Sequence, residues 1–563
     1  MLLLQLFSKG LFRTVLLSIA LPFVLLAQED KEMKSVSSTY AITNVNIIQA
    51  PGRRMDLGTI VIKNGLIVSV GKNLILPPEA IVIKADSMFV YAGFIDGLTR
   101  SGVSKPKDDN KDKVKDPGNP PPDRAGINPQ QDVRVFLNSS DKALEELRNV
   151  GFTVAQVVPH GNLLPGQAAL VLTGAPSTDA MLLSQRTALY SELTGSGSVY
   201  PNTLLGVMAK WRELYRQAGQ AKSYESLYAS NRVGLERPVA DKTLEAFYPV
   251  IDQKIPVLFR SEKLLEMHRI LSLKKDLGFP LMIADVKEGW PIIGKIKSSG
   301  AKVFLSLDLP EEGKKEKVKK EDESLSKTPA QVEKEGLEKR KAEAISNYTS
   351  QAANFYKAGV PFGFSSMSVK PKDIPSNLRR MIAAGLGEDA ALASLTTMPA
   401  QLLGLSDRLG TIDNGKMANL VVTDKSYFNE KAKVKFVFVD GVLYTMDMKE
   451  TKKSDSNTKV EIEGNWSTVA QTPQGNTEGK LVLKKTGATY AGTISGGNLP
   501  APVDLSEITL EGSTLSYKYP LNLGGQTLSI EVEAKVDGDS FKGTITAGQF
   551  GSFPIEGTRD PKK

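Results

Sequence analysis

The 563-residue sequence predicts an α/β protein: a barrel of repeated βα units, a small sheet assembled from both ends of that region, and a separate all-β barrel at the C-terminus. Three observations carry this. Short apolar runs alternate with helical segments between residues 91 and 405, the pattern of βα units. Strand-like stretches flank that region, Tyr40 to Val90 before it and Gly410 to Tyr444 after it, and strands so short need partners to bury their apolar faces. Beyond the polar linker Lys449 to Lys459, turn residues punctuate about eight short strands at roughly ten-residue spacing, as in a closed antiparallel barrel or sandwich.

Composition narrows the function classes. The hydrophobic and charged fractions, 41% and 24%, are those of a globular protein. Net charge is +8, and removing Lys9 and Arg13 with an N-terminal leader leaves +6. Charge that dilute does not make a nucleic-acid footprint, which needs basic residues clustered on one face. With no cysteine and only two histidines, His160 and His268, the chain excludes disulfides, thiolate nucleophiles, cysteine-based zinc sites and histidine-rich metal sites by counting alone.

In chain order, residues 1–27 have the layout of a secretory signal peptide. Lys9 and Arg13 precede the apolar stretch Thr14 to Leu26, and Ala27 precedes a polar start at Gln28. The apolar core is shorter than the ~20 residues of a membrane span. The expected product is therefore exported, periplasmic or extracellular, with no stable membrane span after leader removal. Residues 38–90 and 406–448 form the composite sheet, in which Asn64-Gly65 between two alternating runs signals a type I′ hairpin. Residues 91–405 form the barrel, 449–459 the linker and 460–560 the C-terminal barrel.

Within the barrel region, the opening strand and its exit are expected over Val90 to Arg100, and further strands at Thr153 to Val158, Ala168 to Leu172, Pro256 to Phe259, Pro280 to Ala284, Lys302 to Leu307 and Pro361 to Ser365. That is seven of eight, with one not located between Gly174 and Val250. Helices are expected at Lys142 to Asn149, Leu204 to Ala218, Leu244 to Asp252, Glu262 to Asp276, Gln331 to Ala358, Leu378 to Gly385 and Asp389 to Thr396. Two stretches look like insertions: Ser104 to Asp123, which lacks apolar periodicity and is expected as a mobile loop at the barrel mouth, and the mixed-charge run Glu311 to Leu325 with the helix after it, either a partner-docking segment or, the favoured reading, a solvated face.

The first barrel strand ends in Gly93-Phe94-Ile95-Asp96-Gly97-Leu98-Thr99-Arg100, and the returning segment reads Gly415-Lys416-Met417-Ala418-Asn419-Leu420-Val421-Val422. Both resemble signatures of the amidohydrolase superfamily, which writes the first as Gly-Phe-Ile-Asp-x-His-x-His. The likeness spans Ala41 to Tyr444. It implies a (β/α)8 TIM-like barrel flanked by a small β-sandwich built from both ends, with hydrolysis of carbon–nitrogen bonds by one or two divalent metals, most often zinc. The stretch Val158 to Ala169 resembles a loop of secreted members of that family. The C-terminal Gly464-Asn465-Trp466 and Gly557-Thr558-Arg559 look like the opening and close of a small lipocalin-like barrel.

A hydrolytic metal site lies at the C-terminal ends of the barrel strands, where the ion lowers the pKa of bound water and polarises the scissile carbonyl. The family's ligand positions hold Leu98 and Arg100 after the first strand, Arg260 after the fifth, Asp285 after the sixth and Met367 after the eighth. Asp285 alone of these can bind a metal, and two arginines repel a cation. No cofactor is therefore predicted. His160 is either a general base at the rim or a surface turn histidine, and His268 is read as an ordinary helix residue. Arg100, Arg260 and Asp285 form either a charge cluster replacing the metal or a site for an anion. The reading is an exported family member with its metal ligands replaced, acting as a structural, binding or partner subunit, with an active amidohydrolase paralogue or a second copy as partner. The alternative is an active hydrolase of non-peptide carbon–nitrogen bonds using Arg100, His160, Arg260 and Asp285. No G-x-S-x-G elbow or phosphate loop is present.

Overall fold

The computed structural model describes residues 39–106, 113–311, 329–446 and 461–560, the last without 473–474, 488, 497–498, 512, 524–525 and 547–551. The expected leader, the linker and most of the run Glu311 to Leu325 lie outside the described residues, as do residues 107–112 of the expected mouth loop. The chain divides into two compact units, Met1–Met446 and Asp447–Lys563.

The first unit contains a closed eight-stranded barrel. Its strands are β1 (Phe94–Thr99), β2 (Phe152–Val157), β3 (Gly166–Leu172), β4 (Leu182–Glu192), β5 (Val257–Arg260), β6 (Leu281–Val286), β7 (Lys302–Ser306) and β8 (Phe362–Ser365). β4 is the strand that sequence reading could not locate. Its buried segment Ala188–Ser191 is short, and Gln185 and Arg186 before it are exposed. One feature departs from a (β/α)8 barrel: β3 pairs antiparallel with both β2 and β4, while every other pairing in the ring is parallel. Connection length is the reason. Residues 158–165 are all that join β2 to β3, and a crossover to a parallel neighbour needs about a dozen.

Helices cover the outside. The longest described are Leu204–Ser230 and Pro329–Lys357; the first runs well past the expected end at Ala218, and Ile293–Ser299 was not expected at all. Trp211, wholly buried on the Leu204–Ser230 helix, packs against Phe247, Phe259 and Phe279 and fixes that helix to β5. No described helix is long and apolar enough to cross a membrane.

The barrel interior is filled. Leu98, Ala168, Ala188, Tyr190, Leu258, Met282, Ala284 and Phe304 come from six different strands and form one buried cluster, which only the lumen can bring together. Gly97 makes room for the Phe304 ring, since a Cβ there would lie 1.9 Å from Phe304 Cδ1. Leu402, at the end of the helix Thr397–Leu402, joins the same cluster.

Both ends of this unit build the flanking sheet, which is one continuous mixed sheet of eight strands where a sandwich was expected. Its order runs Val442–Thr445, Val434–Val439, Leu420–Thr423, Phe89–Ala92, Tyr40–Ala50, Arg53–Lys63, Leu66–Gly71, with Ile81–Lys84 also paired to Tyr40–Ala50. Asn64 and Gly65 take φ of 52° and 76°, as a type I′ turn requires. Asp440 and Gly441, at 49° and 76°, close a second hairpin of the same kind. The Gly415 to Val422 segment stitches this sheet to the barrel: Gly93 N–H donates to the Asn419 carbonyl, and Asp440 N–H to the Asn419 side chain.

The second unit is a nine-stranded antiparallel sheet. Its edges are Val503–Asp504 and Ser506–Glu511, separated in the chain by Leu505 alone, so the sheet curls until its edges meet as a nearly closed barrel. Trp466 and Arg559 are ladder partners, and the guanidinium lies 4.6 Å from the indole centroid.

Candidate functional site

The residues at the C-terminal ends of the barrel strands form two chemically different groups. The first lies where β8 meets β1. Asp96 is wholly buried and accepts hydrogen bonds from Leu98 N–H at 3.1 Å, Ser366 N–H at 3.0 Å and the Ser366 hydroxyl. Burial raises its pKa to about 7 against the pull of those bonds, and the nearby charge of Asp285 adds to the rise. Leu98 and Met367, which the sequence resemblance assigns to ligand positions, pack into the apolar lumen cluster. Hydrocarbon stands at these two positions.

The second group is a network of paired charges. Arg260, at the end of β5, donates from Nε to Asp285 Oδ2 at 3.0 Å; its terminal nitrogen donates to Ser368 Oγ at 3.1 Å and to Glu262. Asp285 is wholly buried and also accepts from the hydroxyls of Ser306, at 2.7 Å, and Ser368, at 2.6 Å. Its φ is +61° and the β6 ladder shifts register between Ile283 and Val286, so a bulge re-aims this side chain. Lys287 reaches Asp308 at 2.7 Å and Glu262 at 3.2 Å. Arg100 pairs with Glu192 at 2.7 Å, and the Tyr190 hydroxyl donates to the same oxygen at 2.5 Å. The three cations thus join β1 to β4, β5 to β6 and β8, and β6 to β7.

The electrostatics follow the pairing. Burial by itself would lower the pKa of Arg260, but Asp285, with smaller help from Glu192 and Glu262, holds it above the usual value. Burial likewise opposes the charge on Lys287, and Asp308 and Glu262 overcome it. Tyr190 is pushed well above the ordinary phenol value by burial and then by Glu192. Three cations against Glu192, Glu262, Asp285 and Asp308 leave no surplus positive charge for an anionic ligand. A recess of about 10 Å³ beside Lys287, Ser306, Asp308 and Tyr348 is close to the size of one water.

Of the sequence-predicted residues, Arg260 and Asp285 come together directly, and Arg100 belongs to the neighbouring pair. His160 does not join them: its Nε2–H donates to the Val103 carbonyl at 3.1 Å. Burial, then the charges of Arg100 and Lys105, depress its pKa. His268 is half-buried on the helix Leu264–Leu277. Sequence reasoning missed Ser306, Ser368, Glu192, Glu262 and Lys287. Their one signal is position, since each ends a barrel strand or follows one within three residues.

A divalent metal of the kind the family uses does not fit these side chains. Asp285 is saturated by Arg260 and two serines, Leu98 and Met367 offer no suitable ligand, and no group of three or more His, Cys, Asp or Glu among the described residues could hold an ion.

Residues 287–445 match the amidohydrolase family. The structure is similar to that of an amidohydrolase from Thermotoga maritima, with a TM-score of 0.58 and 19% identity over 72% of this chain and all of that one. Fainter likenesses include a Xaa-Pro dipeptidase, at a TM-score of 0.40, 13% identity, 73% of this chain and all of that one. A zinc-bound adenosine deaminase from Xanthomonas campestris gives 0.39 and 13%, over 73% of this chain and 95% of that one. Comparison with curated proteins gives no match. Residues 287–445 therefore carry the amidohydrolase family's sequence pattern, and the unit that contains them has the amidohydrolase fold.

Proposed function

We propose that the protein is an exported member of the amidohydrolase superfamily that has given up metal-dependent hydrolysis and serves as a structural, binding or partner subunit. The observation that supports this is the chemistry at the ligand positions: Leu98 and Met367 are lumen hydrocarbon, and Arg260 and Asp285 are committed to each other. A metal-activated water needs an ion with an open coordination position, and nothing in this set of side chains provides one. Export rests on the charged start, apolar core and Ala27-Gln28 junction of the sequence. The partner of such a subunit is an active paralogue or a second copy of the chain. The deciding measurement is metal analysis of the purified full chain, together with its melting temperature with and without chelator. Substoichiometric zinc, manganese and iron and an unmoved melt are expected, because an ion held by the folded state alone would raise its stability. One or two tightly held ions per chain would overturn the reading in favour of an active hydrolase.

A further inference from the structure

We infer that the Arg260 guanidinium is the resident cation of this rim, tethered to the chain in place of an exchangeable ion, and that the oxygens around it are a latent site for a small cation. A bound cation at a barrel mouth neutralises buried carboxylate and ties strand ends together. Arg260 does both. From the end of β5 it reaches Asp285 on β6, Glu262 in the following loop and Ser368 beyond β8, while Ser306 of β7 holds the other oxygen of Asp285. Asp285 is 0% exposed and is turned to this arginine by a left-handed residue at a bulge. A carboxylate buried that deeply requires a counter-charge, and loss of one member of such a pair leaves the other uncompensated.

The Arg260 side chain is 24% exposed, so its truncation opens a path from solvent to Asp285. The groups left behind, Asp285, Glu262, Ser306 and Ser368, all present oxygen. That set accepts a planar guanidinium ion or a hard divalent cation such as calcium or manganese, in preference to zinc, which takes nitrogen and sulfur. The inference rests on the metal-free reading of the unmodified protein but is tested separately from it, because its readout is a variant.

Arg260→Ala in the full chain is melted in metal-free buffer, alone and with millimolar methylguanidinium, calcium or manganese. Its melting temperature should fall by about 5 °C or more, and at least one of these cations should restore half of the loss. The same cation should leave the unmodified protein and Arg260→Ala/Asp285→Asn unmoved. An Arg260→Ala melt equal to the unmodified one, or a loss that none of the three cations reverses, overturns the inference. If the variant does not fold alone, refolding from urea replaces the melt: a higher native yield with a cation supports the site, and equal yields overturn it.

Discussion

At the ends of β1 and β8 Leu98 and Met367 cap the lumen with hydrocarbon beside the Arg100–Glu192 pair, whereas at the ends of β5, β6 and β7 the rim is filled with paired charge. Leu98 and Met367 extend the lumen core upward, so that side is held by contact area and shape. Arg260, Asp285, Glu262, Lys287 and Asp308 are held by partners, and each depends on the others being present. The contrast teaches that the strand ends of one ring can be held in two ways. One way is sensitive to lost volume and the other to a lost partner. The four predictions below press on that distinction.

The largest effect is expected on the charged side. Asp285→Ala strips the partner from Arg260 and leaves the Ser306 and Ser368 hydroxyls without an acceptor, which should cost about 3–5 kcal/mol in urea unfolding. A loss below about 1 kcal/mol would reduce the network to the level of ordinary surface pairs and erase the contrast.

Asp96 lies under the apolar side and should make it pH-dependent. Its folded pKa of about 7 lies above the unfolded value, so between roughly pH 4 and 7 the folded state keeps a proton that the unfolded chain has lost. Stability should therefore fall as pH rises through that window, by about 4 kcal/mol if the whole shift is expressed. Asp96→Asn, measured by urea unfolding across the same range, should flatten this slope. An unchanged slope would mean that Asp96 is already ionised in the folded state at low pH.

Leu98→Ala should cost about 3 kcal/mol through the cavity it leaves, with the loss unchanged between low and high salt. A strongly salt-dependent loss would show that the two sides of the rim are coupled. The smallest effect belongs to the second unit, where Lys542 and Glu556 form an exposed pair across neighbouring strands. Lys542→Ala should stay within about 0.5 kcal/mol by thermal melt, and a larger loss would remove the distinction between enclosed and solvated pairs.

The parts of this fold that were legible in the sequence are those fixed locally. Asn64-Gly65 marks its turn because both residues accept positive φ. The apolar runs at β1, β2 and β5 to β8 mark strands because those segments are buried almost throughout. β4 stayed hidden because only Ala188–Ser191 is buried and the residues before it read as loop. The reversal of β3 went unread although the short 158–165 connection implied it. At the site, Arg260 and Asp285 could be read off as strand-end residues and the structure brings them together, but their other partners could not be read. Asp285 is aimed by a bulge, and the serines that hold it are 21 and 83 residues away, a separation that no local pattern encodes.

The seam between β8 and β1 has a consequence for how the chain reaches this state. Its ladder is one pair, Phe364 opposite Asp96, reinforced by Ser366 bonds to a carboxylate 270 residues earlier in the chain. β2, β3 and β4, by contrast, follow one another as an antiparallel meander with short loop closures. Chain entropy disfavours distant contacts until the intervening residues are ordered. The meander is thus placed to form early and the seam to close last. The Ser366 amide, which donates to Asp96, should gain protection from hydrogen exchange later in refolding than the amides of β3, and earlier protection would reverse that order.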